Sequence, residues 1–143
     1  MVLSAGAAGS AIGAEVIGPA TGPGGPECGG EKATILGDKF NNVLIGTGGD
    51  DVIIGRDGRD LIRGKGGEDL ICGGRGDDTL KGDAGRDGVR GDRGDDEVKG
   101  NRGRDILEGN LGDDALNGGD GRNFCNGGKG FDRVKNCQEG PGD

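Results

Sequence analysis

Glycine recurs at every ninth position from Gly37 to Gly127, eleven times without a break. An unbroken period of this length indicates a fold built by stacking small identical units. A second glycine stands at the fourth position of every unit except the first, where Phe40 replaces it. Glycine at two fixed positions indicates backbone angles or close backbone approaches that a side chain would prevent. The period therefore predicts a stack of short glycine turns.

The sixth and eighth positions of the unit are also restricted. The sixth position holds Asp in nine units and Asn in two, and the eighth is apolar in all eleven. Because alternate residues of a strand face opposite ways, one apolar residue between variable neighbours is typical of a very short strand. We interpret each unit as a six-residue turn followed by a three-residue strand. The predicted inward residues are Leu44, Ile53, Ile62, Ile71, Leu80, Val89, Val98, Leu107, Leu116, Cys125 and Val134.

The composition does not support an ordinary hydrophobic core. Of the 143 residues, 38 are Gly and only three are Phe. Trp and Tyr are missing, and the formal net charge is −8. Such a chain is expected to be largely disordered unless something other than apolar burial stabilises it. Collagen does not fit, since glycine does not recur at the seventh position of the unit. A flexible linker does not fit either, because the apolar position is too regular.

The units resemble the RTX nonapeptide repeat, Gly-Gly-x-Gly-x-Asp-x-aliphatic-x, over residues 37–135. They depart from it at the second glycine, which is present only as Gly74, Gly119 and Gly128. The first unit also lacks its turn glycine and its Asp. The resemblance implies an all-β fold, a right-handed parallel β-roll (a β-helix solenoid) of about eleven repeats. Two repeats would form one coil, which makes about five and a half coils.

The resemblance also implies that Ca²⁺ lies between consecutive turns on each edge of the roll. Its ligands would be the sixth-position side chains and turn carbonyls, the oxygen donors that Ca²⁺ prefers. One edge would carry Asn42, Asp60, Asp78, Asp96, Asp114 and Asp132, and the other Asp51, Asp69, Asp87, Asp105 and Asn123. We expect seven to nine ions, with the weakest sites at the pairs Asn42/Asp60 and Asp105/Asn123.

An Asp in one isolated glycine turn is usually a solvated turn residue. Stacked carboxylates on adjacent coils, however, would lie about 4.8 Å apart and repel one another unless a cation intervenes. The repetition of Asp or Asn at one phase therefore favours metal binding over a turn-forming role alone.

Four cysteines lie near the ends of the repeats: Cys28, Cys72, Cys125 and Cys137. A zinc site is not expected, because the chain has no His and no Cys-x-x-Cys pair. Three disulfide pairings are possible, and four free thiols are the alternative. We favour Cys28–Cys72 and Cys125–Cys137, which would close the two ends. The cysteine layout resembles that of secreted bacterial RTX-type proteins.

We divide the chain into four parts. Residues 1–27 form a flexible arm rich in Ala, Gly and Pro, which lacks the basic start and apolar stretch of a signal peptide. Residues 28–36 form a cap with a first strand at 31–36. Residues 37–135 form the roll, and residues 136–143 form a C-terminal cap and tail.

Catalysis is not expected. The chain has no His or Tyr, and Ser occurs only as Ser4 and Ser10, so a nucleophile would lack its usual imidazole base. The predicted function is calcium binding that drives the folding of a secreted, monomeric roll. Neither a membrane span nor a nucleic-acid partner is expected. The alternatives are an adhesive module that binds a cell-surface polymer or protein, and an ice-binding roll, for which only Thr47 stands at a suitable turn position.

The fifth position of the unit is charged in a way that differs between the two edges. Local charge compensation is the favoured interpretation, and an arginine ladder for an anionic polymer is the alternative. One edge carries Asp77, Asp95 and Asp113, with Arg75 and Arg93 two positions earlier, and the other carries Arg86, Arg104 and Arg122.

Overall fold

A computed structural model describes residues 26–138 and the backbone of residues 15–16. These residues form fifteen strands and no helix. In chain order the strands are β1 (Glu15–Val16), β2 (Glu27–Cys28), β3 (Glu31–Lys32), β4 (Ile35–Leu36), β5 (Val43–Ile45), β6 (Val52–Asp57), β7 (Leu61–Arg63), β8 (Leu70–Arg75), β9 (Thr79–Ala84), β10 (Gly88–Arg93), β11 (Glu97–Arg102), β12 (Ile106–Leu111), β13 (Ala115–Asn117), β14 (Phe124–Lys129) and β15 (Arg133–Lys135).

From β4 onward the strands alternate between two sheets, so the chain winds as a β-solenoid, while β2 and β3 form a separate antiparallel pair. The first sheet has the order β1-β4-β6-β8-β10-β12-β14, and the second has the order β5-β7-β9-β11-β13-β15. Neighbours are parallel and shifted by eighteen residues, as in the pairs Val89↔Leu107 and Leu80↔Val98, and only β1 runs antiparallel to β4. Two nine-residue units therefore make one coil, which confirms the parallel β-roll.

The roll is about half a coil longer than the repeats predicted. Ile35 precedes the first glycine unit, yet it pairs in parallel register with Ile53 in the next coil. Each sheet consequently has six parallel strands, or six coils in place of five and a half. The extra strand escaped the repeat count because its unit has the inward apolar residue but lacks glycine at the first and fourth positions, where Cys28 and Glu31 stand.

The core is a single file of inward side chains, one from each of the strands β4 to β14. Ile35 and the predicted residues from Leu44 to Cys125 form one cluster, and none of them is more than 6% exposed. Val134 is the exception among the predicted inward residues, with 47% exposure. It lies in β15, the last strand of its sheet, so no further coil covers it.

A second apolar cluster covers the outer face of the first sheet near its N-terminal end. It contains Cys28, Ala33, Leu36, Ile54 and Cys72. Two short strands, Glu31–Lys32 and Ile35–Leu36, replace the single strand that was predicted over residues 31–36. The N-terminal cap thus lies beside the first coils, where it shields apolar residues that point away from the core.

Both favoured disulfides are present. Cys28 is joined to Cys72 and Cys125 to Cys137, and the described residues contain no free cysteine. The predicted flexible arm lies outside the described residues except for 15–16 and 26–27, as does the predicted tail beyond residue 138.

Candidate metal centres

The sixth-position side chains lie along the two edges of the roll. We call the turns that lead from the first sheet to the second the first edge, and those that lead back the second edge. Asn42, Asp60, Asp78, Asp96, Asp114 and Asp132 lie on the first edge, and Asp51, Asp69, Asp87, Asp105 and Asn123 on the second. All are buried except Asp132, which is partly exposed in the last coil. Burial of so many carboxylates requires compensation by hydrogen bonds or charge.

One oxygen of each of these side chains, apart from Asn42 and Asp51 at the start of the two rows, ties its coil to the preceding one. The backbone N–H of Asp60 donates to Asp78 Oδ1 at 2.8 Å, and that of Asp69 to Asp87 Oδ1 at 2.9 Å. The same contact joins all five neighbouring pairs of the first edge and all four of the second, at 2.7–3.0 Å. The stacked rows that the resemblance implies are therefore present, with adjacent members in direct hydrogen-bond contact.

In the interior of both rows, the second carboxylate oxygen, Oδ2, has no hydrogen-bond partner. This applies to Oδ2 of Asp60, Asp69, Asp78, Asp87, Asp96, Asp105 and Asp114, all of which are buried. At the N-terminal end of the second edge the oxygen is satisfied, since Asp51 Oδ2 accepts from the Thr47 N–H at 2.6 Å. An unpartnered, buried carboxylate oxygen is costly, so these seven atoms favour a bound cation or proton.

The first glycine of each unit makes room for these oxygens. A Cβ on Gly55 would stand 2.5 Å from Asp60 Oδ2 and 2.5 Å from the carbonyl oxygen of Gly73, on the next coil. The two oxygens therefore lie within about 5 Å of one another, which two ligands of one Ca²⁺ at about 2.3–2.6 Å can span. Gly73 similarly adjoins Asp78 Oδ2 at 2.5 Å and the Gly91 carbonyl at 2.8 Å. The turn glycine thus leaves a space lined by hard oxygen donors.

The side chains of the described residues do not form a metal site by themselves. Among the described residues no group of three His, Cys, Asp or Glu side chains converges as a metal cluster. Any ion between coils would therefore need main-chain carbonyls in addition to two carboxylates. This combination matches Ca²⁺, which takes six to eight oxygen ligands of mixed type.

Asn123, the last member of the second edge, has a neutral amide where the preceding members have a carboxylate. Its Oδ1 accepts the Asp105 N–H at 2.8 Å, as an Asp would. Its Nδ2 points toward the carbonyls of Gly119, Asp120 and Asn136, at 3.4–3.5 Å. The amide therefore presents a weak donor to carbonyl oxygens, where an Asp would present an acceptor. The low calcium affinity expected of the Asp105/Asn123 pair stays a prediction.

The interior carboxyls resist ionisation in the metal-free roll. Burial raises the pKa of Asp69 and Asp78 from the ordinary 3.8 to about 8, although backbone hydrogen bonds oppose the shift. Burial likewise raises the pKa of Asp87 and Asp96 to about 7, and that of Asp60 to about 6. The pKa values of Asp105 and Asp114 also rise, for the same reason. The ion pairs in the described residues engage other carboxylates, so no Lys or Arg neutralises these rows.

The second position of the unit is more constrained than the sequence suggested. From residue 56 onward it has a positive φ in every unit, including φ 82° at Arg56 and 77° at Lys65. Sequence reasoning treated this position as freely variable. The sequence signal that could have revealed this constraint is the enrichment of the second position in residues that tolerate the left-handed region: Gly74, Asp83, Asp92, Asn101, Asn110, Gly119 and Gly128. The missing second glycines of the repeat are thus mostly replaced by Asn or Asp.

Charge compensation at the fifth position is limited. Asp77 and Asp95 use Oδ1 to accept the N–H of the fifth-position residue one coil later, at 2.9 and 2.8 Å. Arg59 lies 3.8 Å from Asp77, but within residues 26–138 no ion pair joins Arg75 or Arg93 to these carboxylates. The favoured interpretation of local compensation therefore holds at only one contact of this edge.

Comparison with known proteins gives one family. A model of the RTX calcium-binding nonapeptide repeat matches residues 36–71, 66–98 and 99–134, which together cover more than half of the chain. No significant match is found among curated proteins or solved structures. The part of the chain that the structure describes has no helix able to cross a membrane.

Proposed function

Because the chain belongs to the family of RTX calcium-binding nonapeptide repeats, we propose that the calcium it binds between coils drives the folding of the roll. The observation that carries the proposal is the set of seven buried Oδ2 atoms without a donor. Each belongs to a side chain whose other oxygen already holds the preceding coil by a backbone hydrogen bond. The free oxygen is thus held in place by the same contact that stacks the coils.

The proposed ligands are the sixth-position side chains, with turn carbonyls such as that of Gly73 completing each site. Nine gaps separate neighbouring members of the two rows, and seven of them have Asp on both sides. We therefore propose seven to nine ions, the two gaps that contain Asn being the weakest. When bound, Ca²⁺ supplies the positive charge that the described Lys and Arg side chains do not bring to these rows.

Binding of this kind contributes directly to folding. The core is one side chain wide, so apolar burial per residue is small compared with the entropy of ordering the chain. An ion that binds only the folded form stabilises it by about 1.4 kcal/mol per site at ten times its dissociation constant. Several sites acting together reach the total stability of a typical domain, which is about 5–15 kcal/mol.

We propose an extracellular location. Disulfides persist in oxidising compartments, and this chain has two that pin the ends of the roll. A calcium-gated chain would also stay extended where calcium is scarce and fold where it is abundant. The absence of catalysis and the monomeric state stay predictions.

Ice binding gains no support from the turn geometry. The hydroxyl of Thr47 lies 3.0 Å from Asp51 Oδ2 and 3.3 Å from Oδ1, so the turn itself already uses it.

A calcium titration of the oxidised chain tests the proposal. We expect far-UV circular dichroism to change from a disordered to a β-type spectrum as Ca²⁺ is added, and to revert with chelator. Calorimetry should count seven to nine ions. Mg²⁺ should be much less effective, since it demands near-ideal octahedral geometry and keeps several of its waters. Identical spectra and thermal transitions with calcium and with chelator would contradict the proposal.

A further inference from the structure

The outer face of the first sheet has a basic groove that calcium binding does not explain. The groove has a volume of about 620 Å³. Its lining includes four cations, Arg75, Arg90, Arg93 and Lys129, but only one anion, Asp92. This excess of positive charge is local, because the chain as a whole carries a formal charge of −8.

Three of the cations form a row along the rim next to the first edge. Arg75, Arg93 and Lys129 occupy the same position of their strands, with Leu111 between the last two. Arg75 and Arg93 are direct cross-strand neighbours, about 4.8 Å apart along the roll. Within residues 26–138 none of the three is in an ion pair. Like charges in adjacent strands are destabilising, so the row favours a bound anion.

Arg90 and Asn110, which line the groove, each have a buried donor without an acceptor, Nε of Arg90 and Nδ2 of Asn110. Arg90 lies close to carboxylates, with Nη2 3.3 Å from Asp92 Oδ1 and Nε 3.5 Å from Glu108 Oε2, yet Nε makes no hydrogen bond. Leaving a buried donor unsatisfied costs about 1–3 kcal/mol. The unpaired donors and the cations of this groove would both be satisfied by an anionic oxygen of a ligand.

We propose that this groove binds an extended acidic polysaccharide through its carboxylate or sulfate groups. Charge complementarity selects an anion, and the row of cations along successive coils selects a ligand with repeated charges. The exposed carboxylates Asp77 and Asp95 lie two residues beyond Arg75 and Arg93, so a polyanion is directed onto the sheet face and away from the edge.

Two other polyanions fit the groove less well. Sequence-tolerant binding of single-stranded nucleic acid relies on aromatic side chains for base stacking, and the groove lining includes none. A bilayer surface is flat, so its phosphates would contact the row of cations on the rim and not the lining of a concavity. The sugar rings of a polysaccharide fit an open, polar groove whose walls include Gly74 and Gly128.

The test measures binding of a fluorescent heparin octasaccharide to the full chain by anisotropy, at saturating and constant free calcium. Desulfated heparin distinguishes carboxylate from sulfate recognition, and neutral dextran is the negative control. The variant Arg75→Gln/Arg93→Gln/Lys129→Gln should weaken heparin binding by about tenfold or more, because three charge contacts are lost. Asn110→Gly removes one unpaired donor of the lining, keeps the left-handed backbone, and should weaken binding by about threefold.

The matched control is Arg86→Gln/Arg104→Gln/Arg122→Gln, which removes the same charge from the second edge. It should change affinity by less than about threefold, and circular dichroism with calcium should show that both triple variants fold. Equal losses in the two triple variants would overturn the proposal, as would an absence of heparin binding. Tighter binding of a single-stranded octanucleotide, or of phosphatidylglycerol vesicles, would assign the groove to another partner and overturn it too.

Discussion

The backbone N–H of Asp60 donates a 2.8 Å hydrogen bond to Oδ1 of Asp78, one coil further on, while Oδ2 of Asp78 is buried with no donor. One carboxylate thus has two separable roles. Its Oδ1 holds neighbouring coils in register, and its Oδ2 is available to bind a cation. Glu would place the second oxygen further from the turn, and Asn would replace it with a donor, as Asn123 does.

Replacing Asp78 by Asn should remove calcium without removing the stacking hydrogen bond. The amide oxygen can still accept the Asp60 N–H, whereas the amide nitrogen cannot bind a cation. We expect the calcium stoichiometry measured by calorimetry to fall by one or two ions, and the calcium-saturated roll to lose about 1.5–3 kcal/mol. Asp77→Asn is the matched control, since it removes the same charge from the adjacent, exposed position. An equal effect of both substitutions would show that the loss reflects net charge alone.

Replacing Asn123 by Asp should have the opposite effect. The Asp105/Asn123 gap would then have a carboxylate on both sides, and we expect one additional or tighter calcium site. Without calcium the variant should be less stable, because the weak amide contacts to the Gly119 and Asp120 carbonyls become repulsive. Calcium titrations followed by calorimetry and by thermal unfolding measure both effects. Unchanged affinity together with unchanged metal-free stability would refute this role for Asn123.

A methyl group on Gly55 should fill the space between two proposed calcium ligands. Its Cβ would stand 2.5 Å from both Asp60 Oδ2 and the Gly73 carbonyl oxygen. We expect Gly55→Ala to lower the free energy of unfolding by about 1–3 kcal/mol and to weaken calcium binding. Gly48→Ala is the control, because a Cβ there meets nothing within 4 Å. Its effect in chemical denaturation should stay within about 0.5 kcal/mol.

Lys65 is held in a backbone conformation that suits other residues better. Its φ is 77°, and the equivalent residues Asn101 and Asn110 have φ 76° and 78°. Lys65→Asn should therefore stabilise the roll by about 1 kcal/mol, since Asn tolerates the left-handed region. Lys81→Asn, in β9, is the control and should not stabilise, because Lys81 is not among the residues with positive φ. Denaturant midpoints at saturating calcium measure both changes.

The pH dependence of stability should differ with and without calcium. The pKa values of Asp69 and Asp78 rise on folding from 3.8 to about 8, so the metal-free roll binds protons more tightly than the unfolded chain. Its stability should therefore be greatest below about pH 4 and decline as pH rises from about 4 to about 8. With saturating calcium these carboxyls are ionised in the folded roll as they are in the unfolded chain, so stability should be nearly independent of pH between about 6 and 8. Thermal unfolding at several pH values tests this, and parallel pH profiles with and without calcium would contradict it.

Much of the fold could be predicted from the order of the residues. The nine-residue period identified the single inward column from Leu44 to Leu116, because a three-residue strand between glycine turns has only one inward side chain. The resemblance to the RTX repeat, and not the period itself, implied that two units close one coil and so separate the sixth-position residues into two rows. The favoured cysteine pairing followed from the positions of Cys28 and Cys137 outside the repeats.

Contacts between coils could not be predicted in the same way. Which oxygen of Asp78 holds the Asp60 N–H, and which is left without a donor, depends on the exact register of strands eighteen residues apart. The half coil that begins at Ile35 and the exposure of Val134 depend on what lies above and below each strand. The basic groove likewise exists only because parallel pairing aligns Arg75 and Arg93. Spacing along the chain determined which residues face inward and which lie in turns, whereas tertiary structure alone decided which atoms meet across coils, because those distances depend on stacking and not on sequence separation.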